Sequence, residues 1–226
     1  MSNPFDIVRQ FEAELCRYTG APFAVTTNSC TMALTLAVAW HVQRERFMAM
    51  EADRLVHWER PQIEIPKRTY VGVPYAIIEA GGRPTFRDET WTGAYGLNPL
   101  PVWDSARWFT SGMYGRDVRV TAGREIFGGM IAVSFHASKT LGLSQGGAVL
   151  LDNPEAAAWL RRARFDGRTE GVAPTEDRFD MPRAWHCYMS PDVAAGLLLK
   201  LHSLPRHNAP LPNSDYSDLS LCEVFR

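Results

Sequence analysis

Three lysines stand against twenty-one arginines in this chain. One of them, Lys139, lies in "SFHASKTLGLSQGG" (134–147), between a strand-like run and a pair of glycines. Near neutral pH an amine can do what a guanidinium cannot: lose its proton and attack a carbonyl. A carboxylate, Asp104, closes the apolar run "PVWD" (101–104). Ser29 and Thr31 open the apolar helical pattern "NSCTMALTLAVAW" (28–40), and Ser134 and Tyr70 also follow strand-like stretches.

Together these residue types match the needs of pyridoxal phosphate. Its aldehyde takes a lysine amine as a Schiff base, and its pyridine nitrogen needs a carboxylate to stay protonated and draw off electrons. Its phosphate suits hydroxyls and the N–H groups of a helix start, and its ring face suits an aromatic neighbour. Each residue also has an ordinary use. A loop lysine is commonly solvated, an Asp ends many strands, Asn28–Ser29 can simply cap a helix, and Tyr70 can pack in a core. Their order and their shared place at strand ends favour the chemical reading.

The elements that must position them follow from local patterns. Asn3 and Pro4 read as the start of a helix whose apolar residues Phe5, Val8, Phe11, Leu15 and Tyr18 recur at helical spacing up to Gly20. "PFAVTT" (22–27) reads as a strand, and the charged stretch 41–60 is helix-permissive, with Met48, Met50, Leu55 and Val56 able to face a core. Further strands are expected at 62–66, 83–88, 101–104, 128–136 and 146–153, and helices at 73–82, 154–167 and 190–205. Residues 89–100 carry no clear element. Alternating strands and helices predict an α/β protein, a three-layer α/β/α sandwich around a mostly parallel sheet. In such sheets ligands gather at the carboxyl ends of strands.

The totals set outer limits. A chain of 226 residues, 46% apolar, can bury one large core. We expect one large domain over 1–205 and a C-terminal tail or arm over 206–226. A net charge of −1 gives no electrostatic case for nucleic acid or an anionic membrane. There is no run of about eighteen apolar residues to span a bilayer. Cys16, Cys30, Cys187 and Cys222 lack CxxC spacing, so a metal site is not expected and a reducing cytoplasm fits best.

The same segments resemble the DegT/DnrJ/EryC1/StrS aminotransferases, fold-type I enzymes that use pyridoxal phosphate. "FEAELCRYTGAPFAVTTNSCTMALTLAV" is similar to their opening helix, strand and phosphate turn. "PKRTYVGVPYAIIEAGGRPTFRDETWTGAYGLNP" resembles the next unit, "VWDSAR" the aspartate motif, and "SFHASKTLGLSQGGAVLLDNPEAAAWLRRARFDG" the lysine motif; "HCYMSPDVAAGLLLKL" resembles the helix that follows. The resemblance implies Lys139 as Schiff-base lysine and proton shuttle, Asp104 on the pyridine nitrogen and Tyr70 on the ring. It implies phosphate contacts from Cys30, Thr31 and Ser134, to which the residue reading adds the Ser29 hydroxyl. Arg107 takes the place of the residue that usually reaches the ring hydroxyl. His186 takes the place of a phosphate-reaching residue from a second subunit, so a homodimer with shared sites is implied. Departures are visible. Cys30 replaces a usual Gly, Gln145 replaces an acid, and only sixteen residues link Asp88 to Asp104, where the family fits a further strand–helix unit. The chain also ends where the family's small C-terminal domain would begin, which marks a shortened member.

The function expected first is transamination between an amino donor and a keto acceptor. A decarboxylase or lyase acting on an amino acid group attached to a larger molecule, such as a nucleotide or nucleic-acid base, suits a more open site. A non-catalytic binding protein on the same fold is the third reading, and Lys139 and Asp104 argue against it. Arg107, Arg168 and Arg183 are candidate clamps for carboxylate or phosphate.

Overall fold

A computed structural model describes residues 3–51, 59–117, 129–212 and 215–226. In chain order the elements are α1 (Asp6–Thr19), β1 (Phe23–Thr27), α2 (Cys30–Glu51), β2 (Gln62–Pro66), α3 (Gly72–Glu79) and β3 (Arg83–Arg87). They continue as β4 (Tyr95–Gly96), β5 (Val102–Asp104), β6 (Met130–Ser134), β7 (Gly147–Leu151), α4 (Pro154–Ala163) and α5 (Pro191–Ser203). The terminators behave as their chemistry dictates. Gly20 ends α1 in the left-handed conformation, φ 79°, and its N–H bonds Cys16 O. Asn153 caps α4 by accepting from Ala156 N, with Pro154 at the first helical position.

The strands pair as β1-β7-β6-β5-β4, and β2 pairs with β3. Two backbone bonds between Glu64 and Asn98, at 2.7 and 3.0 Å, tie β2 to the segment just after β4. Pairing is parallel at β5–β6 and at β2–β3, and antiparallel at β1–β7, β7–β6 and β4–β5. The sheet is therefore mixed, with β4 and β7 the reversed strands and the other five running one way. Residues 89–100, which carry no clear pattern, hold β4, which turns back on β5 where a full crossover unit would be too long.

Alternation along the strands sorts side chains onto two faces. Val25, Val102, Ala132, Val149 and Leu151 pack with α2, α3 and α4, while Ala24, Trp103, Ile131, Val133, Ala148 and Leu150 pack with α1 and α5. This is the three-layer arrangement. Every residue of β6 and β7 is buried, as expected for strands covered on both faces. A buried ion pair pins the edge: Arg164 bonds the Glu12 carboxylate and Thr26 O, and Glu12 also accepts from Thr26 N at 2.9 Å. Losing either partner would leave an uncompensated charge, at a cost of roughly 3–5 kcal/mol.

Helix α2 is longer than its apolar opening suggests, running on through the charged residues to Glu51. Met48 and Met50, expected to be able to face a core, are instead exposed, and Leu55 and Val56 lie outside the described residues. The C-terminal residues lie against the body. Leu211 N bonds Arg107 O at 2.8 Å, Trp108 Nε1 bonds Asn208 O at 3.0 Å, and Phe225 meets Tyr75 edge to face at 5.1 Å.

Candidate active site

The five strands that run together end on one side, and several of the expected residues lie at or just after those ends. Ser29 follows β1, Thr69 and Tyr70 follow β2, Asp104 ends β5, and Ser134 ends β6 just before the lysine loop. Asp104 is buried and lies directly across from Tyr95 on β4. The Tyr95 hydroxyl donates to Asp104 Oδ2 at 2.7 Å, and Ala106 N donates to Oδ1 at 2.8 Å. The single Tyr95 hydroxyl hydrogen is thus committed, so Thr69 Oγ1, 2.6 Å away, donates to the Tyr95 oxygen. Each carboxylate oxygen keeps one lone pair for a further donor. Burial raises the Asp104 pKa, while the Ala106 N–H, the Tyr95 hydroxyl and the nearby Lys139 charge pull it back.

Lys139 is half-buried in a loop closed at its base by Leu143 N to Phe135 O, 3.1 Å, and Phe135 N to Gly146 O, 2.9 Å. Gly142 makes the closure fit: a Cβ there would sit 2.4 Å from Ala137 O and 2.7 Å from Lys139 O. Lys200 on α5 bonds Gly142 O and braces the loop from behind. Burial lowers the Lys139 pKa and Arg107 lowers it further, against the opposing pull of Asp104 and Cys30.

The glycine pair after the lysine has a packing role that its place in the motif does not reveal. Gly147 is paired with Thr27 and Ser134, and a Cβ on it would lie 2.5 Å from Cys30 N. Only a glycine lets β7 approach the start of α2 this closely, which brings Ser134 to the same place. Ser29 caps α2 by accepting from Met32 N at 3.2 Å. The N–H groups of Cys30 and Thr31 come before any carbonyl they could bond within the helix, and so face an incoming anion. Burial and Asp104 push the Cys30 thiol well above its usual pKa, so it stays a thiol and does not compete with Lys139 for an electrophile. Tyr70 is 57% exposed, and a Cβ on Gly72 would touch both its ring (2.7 Å) and Thr31 Oγ1 (3.0 Å). The exposed ring thus stands beside the start of α2.

Not every expected residue joins this group. His186 is exposed and bonds Asp166 at 2.6 Å through Nδ1, beside the rings of Phe165 and Tyr188. Its neighbour Cys187 is tied to the turn before α2 by Asn28 N to Cys187 O, 2.8 Å. Arg168 lies over the Phe165 ring, and Arg183 donates to Glu79 O at 2.7 Å at the end of α3. Arg107 is within electrostatic reach of Lys139 and donates to Pro212 O. Tyr95 was missed because a two-residue strand gives no periodic signal; the only hint was a polar-tipped aromatic in a stretch otherwise rich in turn residues.

Pyridoxal phosphate fits these residues. Amine and carboxylate follow neighbouring strand ends, and the start of α2 offers N–H groups to an anion. Among the described residues no group of His, Cys, Asp and Glu could hold a metal ion, and no helix is long and apolar enough to cross a membrane.

The fold matches solved aminotransferases. For a DegT DnrJ EryC1 StrS aminotransferase from Brucella abortus the TM-score is 0.59 at 19% identity, covering 88% of this chain and 59% of that one. For DesV of S. venezuelae it is 0.59 at 20% identity, covering 88% and 57%. For NtdA of Bacillus subtilis with bound cofactor PMP it is 0.62 at 17% identity, covering 88% and 48%. The chain thus spans less than two thirds of the length of these structures. The sequence profile of the DegT/DnrJ/EryC1/StrS aminotransferase family matches residues 2–92 and 109–209. The interruption holds Tyr95, Asp104 and Arg107, so their places rest on the geometry. With a match over most of its length and the matching fold, the chain belongs to the DegT/DnrJ/EryC1/StrS aminotransferase family.

Proposed function

We propose that this protein is a pyridoxal-phosphate-dependent aminotransferase that carries its cofactor on Lys139. The observation that supports this most is the convergence of a desolvated amine and a buried carboxylate from adjacent parallel strands, beside an open helix start. When bound, the cofactor supplies an electron sink for the bond broken at the substrate's α-carbon. The chain supplies the rest. Lys139 would offer a neutral amine to hold the cofactor and could move a proton at that carbon. Asp104, held by Tyr95 and Ala106, keeps the ring nitrogen protonated. Cys30 and Thr31 N–H groups, with Ser29, Thr31 and Ser134 hydroxyls, hold the phosphate. Tyr70 would cover one ring face, and Arg107 would be the group to meet the ring hydroxyl or a substrate carboxylate.

The exposed Tyr70, Val71, Tyr75 and Ile78 form an apolar surface next to the site. We read it as the contact with a second copy, which would bring His186 to the phosphate of its neighbour. The free thiols of Cys16, Cys30, Cys187 and Cys222 suit a reducing, cytoplasmic setting. Sugar aminotransferases occur among the similar structures, CalS13 of Micromonospora echinospora being one. A keto sugar is accordingly the acceptor to try first.

The test is incubation of the loaded protein with amino donors. Transamination leaves the pyridoxamine form and a keto acid. Release of carbon dioxide with the cofactor unchanged would establish a decarboxylase instead, and neither product from loaded protein would leave a binding role.

A further inference from the structure

Asp166 is the one residue other than glycine with a positive φ among the described residues, at 59°. It follows α4, where residues 163–166 pair with 185–187 as a short ladder. Trp185 N bonds Ala163 O at 2.7 Å, Asp166 N bonds Trp185 O at 3.1 Å and Cys187 N bonds Arg164 O at 3.0 Å. In this turn the Asp166 carboxylate comes to 2.6 Å from His186 Nδ1. A carboxylate oxygen only accepts, so Nδ1 carries the hydrogen. The neutral ring then has a bare lone pair at Nε2. The side chain is 69% exposed, and Nε2 has no partner among the described residues. Only after gaining a proton can Nε2 donate.

The charged and titratable groups around the ring come from three places. Asp166 and Arg168 lie in the loop after α4, with Arg168 over the Phe165 ring at 5.4 Å and without an ion-pair partner among the described residues. Tyr188, on the ring's own segment, meets it edge to face at 4.9 Å. Arg164, whose carbonyl takes Cys187 N, has its charge taken by Glu12. Phe5 packs on Tyr188 and Phe165 and brings no charge. The segment is also fastened to the end of α3: Arg183 donates to Glu79 O at 2.7 Å, and Trp185 Nε1 to Glu79 Oε1 at 3.0 Å. Helix α3 carries the exposed Tyr75 and Ile78. A second copy seated on that apolar face adjoins the segment that holds His186.

We propose that Asp166 and His186 form a proton-linked phosphate site. Asp166 holds the hydrogen on Nδ1, and the ring meets the cofactor phosphate of a second copy only as the imidazolium, through Nε2–H. The inference rests on the cofactor and second-copy readings above; it adds Asp166 as a positioning residue and a proton taken up with the phosphate contact.

The first test needs no cofactor. The full chain has six histidines, and in protein with 15N-labelled imidazoles His186→Gln assigns the one of interest. At alkaline pH the two ring-nitrogen shifts give the tautomer, and we expect hydrogen on Nδ1. Asp166→Gly, which keeps the left-handed backbone accessible, should move it to Nε2. Asp166→Asn keeps an acceptor oxygen and should retain it on Nδ1. Hydrogen on Nε2 in the unaltered protein, or no change in Asp166→Gly, overturns the role of Asp166.

The second test compares the pyridoxal phosphate affinity of His186→Gln with that of the unaltered protein, read from the cofactor's visible band. The pH dependence of Lys139 cancels in this ratio. His186→Gln should bind about tenfold more weakly at pH 6, and the difference should vanish toward pH 9. Equal affinities at pH 6, or the same ratio at both pH values, overturn the proton link. Lys139→Ala chains form no band of their own. Co-expressed with them, part of the His186→Gln chains should regain the tighter affinity, because an intact Lys139 then meets a neighbour's intact His186. No gain on co-expression overturns the second-copy assignment. A protein that never colours overturns the cofactor reading instead, and the tautomer still decides the role of Asp166.

Discussion

Tyr95 and Asp104 face each other across a two-residue strand, joined by a hydrogen bond of 2.7 Å. The pair sets the carboxylate's orientation and biases it toward ionisation in a buried place. Tyr95→Phe should leave the fold intact and deprive Asp104 of one donor, leaving Thr69 without its acceptor. We expect a loss of about tenfold in kcat, near 1.4 kcal/mol, with a smaller effect on KM. Steady-state kinetics on the loaded enzyme checks this. A variant indistinguishable from wild type would show that the hydroxyl has no part in tuning the acid.

The reach of the sequence is instructive at this point. Lys139, Ser134 and the start of α2 could be read directly, because strong strand and helix patterns precede them and punctuation residues bound them. Tyr95 could not, since its strand is too short for a period and owes its existence to pairing with β5. Strand β7 was legible as a strand but its reversal was not: an apolar run records burial and carries no direction. The bonds to Arg107 use the backbone N–H of Leu211 and the backbone carbonyl of Pro212, which leave no mark in the sequence pattern.

Lys139 reacts only as the neutral amine. Burial and Arg107 place its pKa below the usual 10.5, so the neutral fraction at pH 8 exceeds that of a solvated lysine. The rate of cofactor loading should rise with pH and level off below 10.5. Stopped-flow absorbance across pH 6.5–10.5 measures it, in the same order-of-magnitude frame of side-chain titration. A rate still climbing at the top of that range contradicts a desolvated amine.

Gly147 packs tightly against the start of α2. Gly147→Ala places a methyl 2.5 Å from Cys30 N and 2.7 Å from Cys30 Cα, backbone atoms that cannot yield cheaply. We expect a loss of about 2–3 kcal/mol, seen as a lower Tm, together with weakened cofactor binding. Gly115→Ala, with nothing within 4 Å of its Cβ, is the control and should be near neutral. Equal effects from the two would remove the packing argument.

His41 on α2 titrates near 4, lowered from 6.5 first by burial and then by Arg44. The unfolded chain therefore binds the extra proton between those values while the native state does not. Stability contributed by the neutral ring is present above pH 6.5 and is lost as pH falls toward 4, by about 3 kcal/mol at most. His41→Gln should flatten this acid limb in urea titrations at pH 4.5 and pH 7. An unchanged slope would mean that His41 charges without penalty.

The central claim is that Lys139 carries the cofactor opposite Asp104. It is tested most directly by the visible absorption spectrum of purified protein with pyridoxal phosphate added. We predict a band at the violet edge that borohydride abolishes and that Lys139→Ala never develops. A colourless wild type, or the same band in Lys139→Ala, would contradict it.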